Sequence, residues 1–277
     1  MTAHVDIARA SASSAAGIAY LQRAGRSAAT PLVLLHGIGS NAESYAPLIA
    51  ALPPTIDAVA WNAPGYATSV PLAETSPAPT HYADALLRLL DVLNLNRVVL
   101  TGHSLGCLFA ANFAARHADR VAAVALLSPA LGYRVAPRAA LPETVQARID
   151  EIVALGPQAF ADKRAARLVH APERKAQVLA AVRAAMAAVN PGGYMQAVLA
   201  LGAGDLLADA ARIAAPTLVA VGAEDVITPP ANARSAYAAL GNAAGYHEIA
   251  DAGHALPQEQ PAVVAKLLSQ LVEHSDV

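Results

Sequence analysis

The 277-residue chain has one cysteine, Cys107, so it can form neither an intrachain disulfide nor a cysteine-rich metal site. Charge is sparse: 14% of residues are Asp, Glu, Lys or Arg, and the formal net charge is −2. No basic run occurs, which removes the electrostatic basis for binding nucleic acid or an anionic membrane. Although 55% of residues are hydrophobic, many are alanine, and no window holds the roughly 20 strongly apolar residues of a membrane span. The opening "MTAHVDIARASASSAAGIAYL" lacks the basic start and apolar centre of a secretory signal. The expectation is a cytoplasmic protein, in keeping with the lone thiol. Repeats and low-complexity linkers are missing as well. What remains is a composition able to bury a large core and a length that suits one α/β domain with an insertion.

Apolar runs and helical spacings alternate along the chain. Short strands are expected at Val5–Ala10 and Gly17–Ala24, joined by a small-residue turn, "SASSAA". Leu32–Leu35 is continuously apolar, as in a strand buried on both faces of a parallel sheet. Further strands are expected in "DAVAW", at Val98–Thr101, and in "VAAVALL", "APTLVAVG" and "GYHEIAD". Between them fall helical patterns around Tyr45–Leu52 and at Tyr82–Leu93, Leu105–Arg116, Ala231–Leu240 and Pro261–Val272. Between about Tyr133 and Ala210 the pattern is helical only, at Val145–Leu155, Arg174–Val189 and Tyr194–Leu201. The reading is a mostly parallel sheet covered on both faces, with core segments 1–132 and 211–277 and a helical cap at 133–210.

In "VVLTGHSLGCLFAANFA" a strand runs into Gly102-His103-Ser104-Leu105-Gly106 and a helix follows at once. A sharp strand-to-helix turn brings the neighbours of its middle residue close together, so the flanking positions must be small. Such a turn lifts the serine hydroxyl above the carboxyl end of the sheet, at the N-terminus of a helix that favours developing negative charge. Gly-x-Ser-x-Gly alone also fits an ordinary tight turn; the strand before it and the helix after it favour a nucleophile elbow.

A serine nucleophile needs a base, and the base needs an orienting acid. Of nine histidines, His254 lies in a loop after the last expected strand, in "IADAGHALPQEQP". His103 neighbours Ser104, but adjacent strand residues point to opposite faces, which makes it a poor base. Asp225 follows the preceding strand in "VAVGAEDVITPP", with Glu224 as its rival. Ser128 fills the alternative acid position and cannot serve. Donors for an oxyanion are expected from the backbone N–H groups of Leu105 and Ile38, the latter in "HGIGSN".

Together, "LLHGIGSNAESY", "WNAPGYATS", "GHSLG", "GAEDVITPP" and "AGHALPQEQP" resemble the α/β-hydrolase superfamily over nearly the whole chain. "HGIGSNAESY" and "GHSLG" look like bacterial carboxylesterases of the biotin-pathway type, and "GAEDVITPP" like the 3-oxoadipate enol-lactonase group. The resemblance implies an eight-stranded sheet, a Ser104–His254–Asp225 triad and no cofactor or metal. Where relatives usually read Pro-Gly-x-Gly-x-Ser, this chain has Ala67 and Thr68 in "PGYATS". Meta-cleavage C–C hydrolases typically show Asn-Ser-Met-Gly-Gly at the elbow and a tryptophan after the histidine; here stand His103-Ser104-Leu105-Gly106-Cys107 and Ala255.

The expected reaction is hydrolysis of a small carboxylic ester or lactone through an acyl-enzyme, with C–C hydrolysis of a ring-fission diketone as runner-up. Cofactor-free perhydrolase or lyase chemistry is a third possibility, and a non-catalytic ligand-binding protein on the same fold is the non-enzyme alternative. The partner is a small molecule; oligomeric state is unread. Candidate substrate contacts are His36, Gly37 and His103 beside the elbow, and Arg164, Arg167 and Tyr194 in the cap. His170, Gln196, Leu141, Phe160, Met186, Val189 and Met195 are further cap candidates. Cys107, one turn beyond Ser104, reads as core.

Overall fold

In the computed structural model, residues 11–25, 29–136 and 138–275 are described. Eight strands form one sheet: β1 (Ser11–Ala15), β2 (Ile18–Arg23), β3 (Leu32–Leu35), β4 (Ala58–Trp61), β5 (Val98–His103), β6 (Val121–Leu127), β7 (Thr217–Gly222) and β8 (Ala243–Ile249). Their order across the sheet is β1-β2-β4-β3-β5-β6-β7-β8. β2 runs antiparallel to both neighbours, and β3 through β8 are mutually parallel.

Continuous apolar strands produce this arrangement because each must bury two faces. In β3, Val33 and Leu35 enter one core while Leu32 and Leu34 enter the other. Val59 and Trp61 of β4 divide from Ala58 and Ala60 in the same way. Helices Ala46–Ala51 and Pro261–Ser275 supply Leu48, Ile49, Val264 and Leu268 to one core. Helices Pro79–Val92, Leu105–Arg116 and Pro230–Ala238 pack into the other.

Between β6 and β7 the described residues form helices and no strand: Glu143–Arg164, the short 3-10 helix Ala165–Leu168, Ala176–Ala187, Pro191–Ala203 and Leu206–Ala210. Their apolar residues, Val145, Ile152, Phe160, Val182, Met186 and Tyr194 among them, belong to the same core as the Leu105–Arg116 helix. Glu143–Arg164 is two helical arms joined at Gly156, whose φ of 72° and ψ of 166° are non-helical. Glycine tolerates that φ, and Pro157 suits the first turn of the second arm. Ion pairs from Glu151 to Lys163 (2.6 Å) and to Arg164 tie the two arms together.

One expectation is corrected at the sheet edge. "SASSA", read as a turn, is β1, and the turn is Ala16-Gly17, both at positive φ. Small polar residues have weak strand propensity, but backbone pairing with β2 from Ser11↔Gln22 to Ala15↔Ile18 overrides it at an exposed edge. The expected Val5–Ala10 strand lies outside the described residues. Among the described residues no helix is long and apolar enough to cross a membrane.

Candidate active site

Loops from four strand ends meet at the carboxyl edge of the sheet. β5 ends at His103, and Ser104 turns the chain at φ 54°, ψ −116° straight into the Leu105–Arg116 helix. A left-handed serine is a strained residue held by its surroundings. The flanking glycines permit the turn: a Cβ on Gly102 would strike the backbone of Gly106 and Cys107, and one on Gly106 the Leu35 carbonyl.

The Ser104 hydroxyl lies 3.0 Å from His254 Nε2, and His254 Nδ1 lies 2.9 Å from Asp225 Oδ2. All three residues are buried. An ionised carboxylate only accepts, so it places the imidazole proton on Nδ1 and leaves the Nε2 lone pair facing the hydroxyl. Asp225 Oδ1 accepts the N–H groups of Ile227 (2.8 Å) and Thr228 (2.9 Å). Burial alone would raise the Asp225 carboxyl. The His254 ring beside it, its hydrogen bond and the two N–H donors outweigh burial and lower the pKa to about 2.

Sequence reasoning missed Thr228. Its hydroxyl lies 2.9 Å from the Ser128 carbonyl, 3.0 Å from Asp225 Oδ2 and 3.1 Å from His254 Nδ1, bracing the acid and the imidazole against β6. Only "DVIT", an acid three residues before a threonine, hinted at such a turn. Glu224 is exposed and accepts the Ala252 N–H at 3.1 Å, away from the histidine.

The loop after β3 is fastened by its carbonyls. Tyr45 donates to Leu35 O at 2.9 Å and Tyr66 to Ile38 O at 2.6 Å. Among the described residues, neither the Ile38 nor the Leu105 N–H donates to a protein acceptor, and both residues line the cavity over Ser104.

That cavity, about 410 Å³, is roofed by the helices between β6 and β7. Gly37, His103, Arg164, Arg167 and Tyr194 line it, as do Phe160 and Met186. His36 does not, which corrects its reading as a substrate contact. Its Nδ1 faces Gly37 O at 2.8 Å and its Nε2 accepts the Ala63 N–H at 3.0 Å, so one nitrogen engages its own loop and the other ties it to the loop after β4. Burial lowers the His36 pKa to about 4.

His103 departs from expectation differently. The elbow ends strand alternation at Ser104, so both side chains line the cavity. His103 Nε2 faces the His254 carbonyl at 2.7 Å, which makes it a strut for the His254 loop. Burial and the neighbouring His254 lower its pKa to about 3.

Five cap candidates, Leu141, His170, Val189, Met195 and Gln196, do not line the cavity. Gln196 bonds the Leu72 carbonyl at 2.8 Å, and His170 faces Asp251. Arg164 is held by Glu151 and covers the Phe160 ring at 5.0 Å. Arg148, which sequence reasoning passed over, lines the cavity beside Tyr194. Cys107 is buried, its thiol raised well above the ordinary range by burial, with Sγ 3.2 Å from Gly102 O.

Comparison with known proteins matches this arrangement. The family model of the α/β-hydrolase fold covers residues 30–261. The enol-lactonase of Burkholderia xenovorans LB400 is 27% identical over 95% of this chain and 100% of its own, with a TM-score of 0.82. A thermophilic esterase from Thermogutta terrifontis has the same fold at a TM-score of 0.82 and 23% identity, over 94% of this chain and 95% of its own. The (E)-2-((N-methylformamido)methylene)succinate hydrolase of Acinetobacter baylyi is 32% identical over 98 residues. That match spans 35% of this chain and only 37% of the relative. With the elbow after β5, the acid after β7, the histidine after β8 and a family match over most of its length, the chain belongs to the α/β-hydrolase fold family.

Proposed function

We propose that this protein is a serine hydrolase that cleaves a small carboxylic ester or lactone through an acyl-enzyme. The observation that carries the reading is the unbroken hydrogen-bonded series Ser104–His254–Asp225 beneath a cavity bordered by two unengaged N–H donors. An esterase and an enol-lactonase among the structural relatives support the same class.

Ser104 attacks the carbonyl carbon as His254 Nε2 takes its proton, and the carbonyl oxygen gains negative charge. The N–H groups of Ile38 and Leu105 hold that oxyanion, assisted by the N-terminus of the Leu105–Arg116 helix. His254 returns the proton to the leaving alcohol, and water repeats the sequence in reverse order of bonds to free the acid. Asp225 keeps the imidazole in its reactive tautomer and offsets its transient positive charge. Residues 133–210 act as a cap that sets which molecule fits. In a cavity of about 410 Å³, the substrate is small.

The test is turnover of p-nitrophenyl esters of graded chain length and of simple lactones by purified protein, with Ser104→Ala as the blank. Ester or lactone turnover well above the blank supports the reading. Activity confined to a ring-fission diketone would replace it with C–C hydrolysis. No turnover of any substrate would favour a binding role.

A further inference from the structure

The cavity wall carries three cationic side chains, Arg148, Arg164 and Arg167, and no aspartate or glutamate. They are not equivalent. Arg164 is neutralised by Glu151, and Arg167 is exposed to solvent. Arg148 makes no ion pair among the described residues, and its Nε is buried without a hydrogen-bond partner. Glu151, one turn along the same helix, is committed to Lys163 and Arg164 across the Gly156 break.

A guanidinium that lines a cavity without a carboxylate partner leaves its charge for a bound anion. The groups around it suit an anion. Tyr194, a buried residue, holds its hydroxyl within the field of Arg148 and Arg164. Phe160 packs edge-on against the Tyr194 ring at 5.3 Å and supplies an apolar wall. Guanidinium geometry presents parallel donors that match a planar carboxylate.

Building on the hydrolase reading above, we infer that Arg148 and Tyr194 form an anion subsite, so that the substrate carries a free carboxylate remote from the bond that is cleaved. The kinked helix creates the subsite: its first arm brings Arg148, its second brings Phe160, and the Pro191–Ala203 helix brings Tyr194.

Two matched substrate pairs test this. Mono-p-nitrophenyl adipate against its methyl ester places the carboxylate on the acyl side, and 4-acetoxybenzoate against its methyl ester places it on the alcohol side. A free carboxylate engaging the subsite raises kcat/KM about tenfold or more over the neutral partner in at least one pair. Arg148→Met and Arg148→Gln bring that ratio close to one, mainly through KM, and Arg148→Lys falls between. Ester turnover with no carboxylate preference in either pair, or a preference that survives Arg148→Met, overturns the subsite and leaves the hydrolase reading standing. The wild-type ratio is readable even if the variants misfold.

Calorimetry with Ser104→Ala protein separates the two readings if no turnover is found. Monomethyl adipate binding more tightly than dimethyl adipate, and losing that advantage when Arg148→Met is added, keeps the subsite without hydrolysis. Equal binding of the two overturns it.

Discussion

The floor and the roof of the cavity are built on opposite terms. In the floor, the Ser104, His254 and Asp225 side chains each have partners, and Thr228 braces the last two. In the roof, Arg164 is matched by Glu151, while Arg148 lines the cavity with no ion-pair partner among the described residues. A saturated network fixes geometry in advance of a reaction, as catalysis requires. An unsaturated group instead leaves something for the substrate to complete. Under the function proposed above, the floor sets the reaction and the roof sets the molecule.

This division can be broken from the floor. Ser104→Ala should lower kcat by roughly four orders of magnitude or more, and residual turnover near wild type would sink the nucleophile assignment. Asp225→Asn should cost about 10³–10⁴ in kcat, with a much smaller change in KM, because the imidazole loses the acceptor that fixes its tautomer. Steady-state kinetics on one neutral ester would check both.

The floor also has an acid sensitivity. His36 and His103 have folded pKa values lowered to about 4 and about 3, below the ordinary histidine value of about 6.5. At pH 5 both stay neutral when folded and become protonated on unfolding. The unfolded state then binds nearly two more protons, so stability falls as pH falls, by roughly 2–3 kcal/mol per pH unit from this pair. That loss begins near pH 6.5 and continues toward the folded values. Asp225 adds to it lower down: with a folded pKa of about 2, its contribution is complete above about pH 4 and lost between there and about pH 2. Denaturant unfolding at pH 5 and 7 should show the steep slope, and His103→Gln should reduce it by about half. A wild-type stability unchanged between those pH values would contradict the assignment of both rings as neutral.

The smallest expected effect lies beside the roof's contact with the core. Ala67 stands at φ 48°, where the superfamily resemblance calls for glycine. An L-residue there costs about 1 kcal/mol, partly offset by the lower chain entropy of alanine in the unfolded state. Ala67→Gly should raise stability by roughly 0.5 kcal/mol without altering kinetics, as a melting curve would register; a clear loss would mean that the Ala67 methyl contributes packing.

Much of the floor was legible from sequence because its chemistry needs particular residue types at particular junctions. Continuous apolar runs located β3, β5, β6 and β7, and the small residues around Ser104 located the elbow. The edge strand β1 was not legible, since "SASSA" is held by backbone pairing that side-chain pattern does not encode. Neither was the roof. Helical periodicity over 145–201 says that helices form, but which arginine faces inward depends on the bend at Gly156 and on Glu151 capturing Arg164. His36 looked like a site residue for its place beside the loop, yet its two nitrogens are both bonded to backbone. Thr228 was invisible because its role exists only once β6, β7 and β8 lie side by side.

The acyl-enzyme itself offers the most direct test. Protein mixed with an activated ester, quenched in acid within the first turnover and weighed by intact-mass spectrometry should carry one acyl group. Peptide mapping should place it on Ser104, and the adduct should be absent from Ser104→Ala. Turnover without any covalent adduct, or an adduct on another residue that persists in Ser104→Ala, would contradict the account.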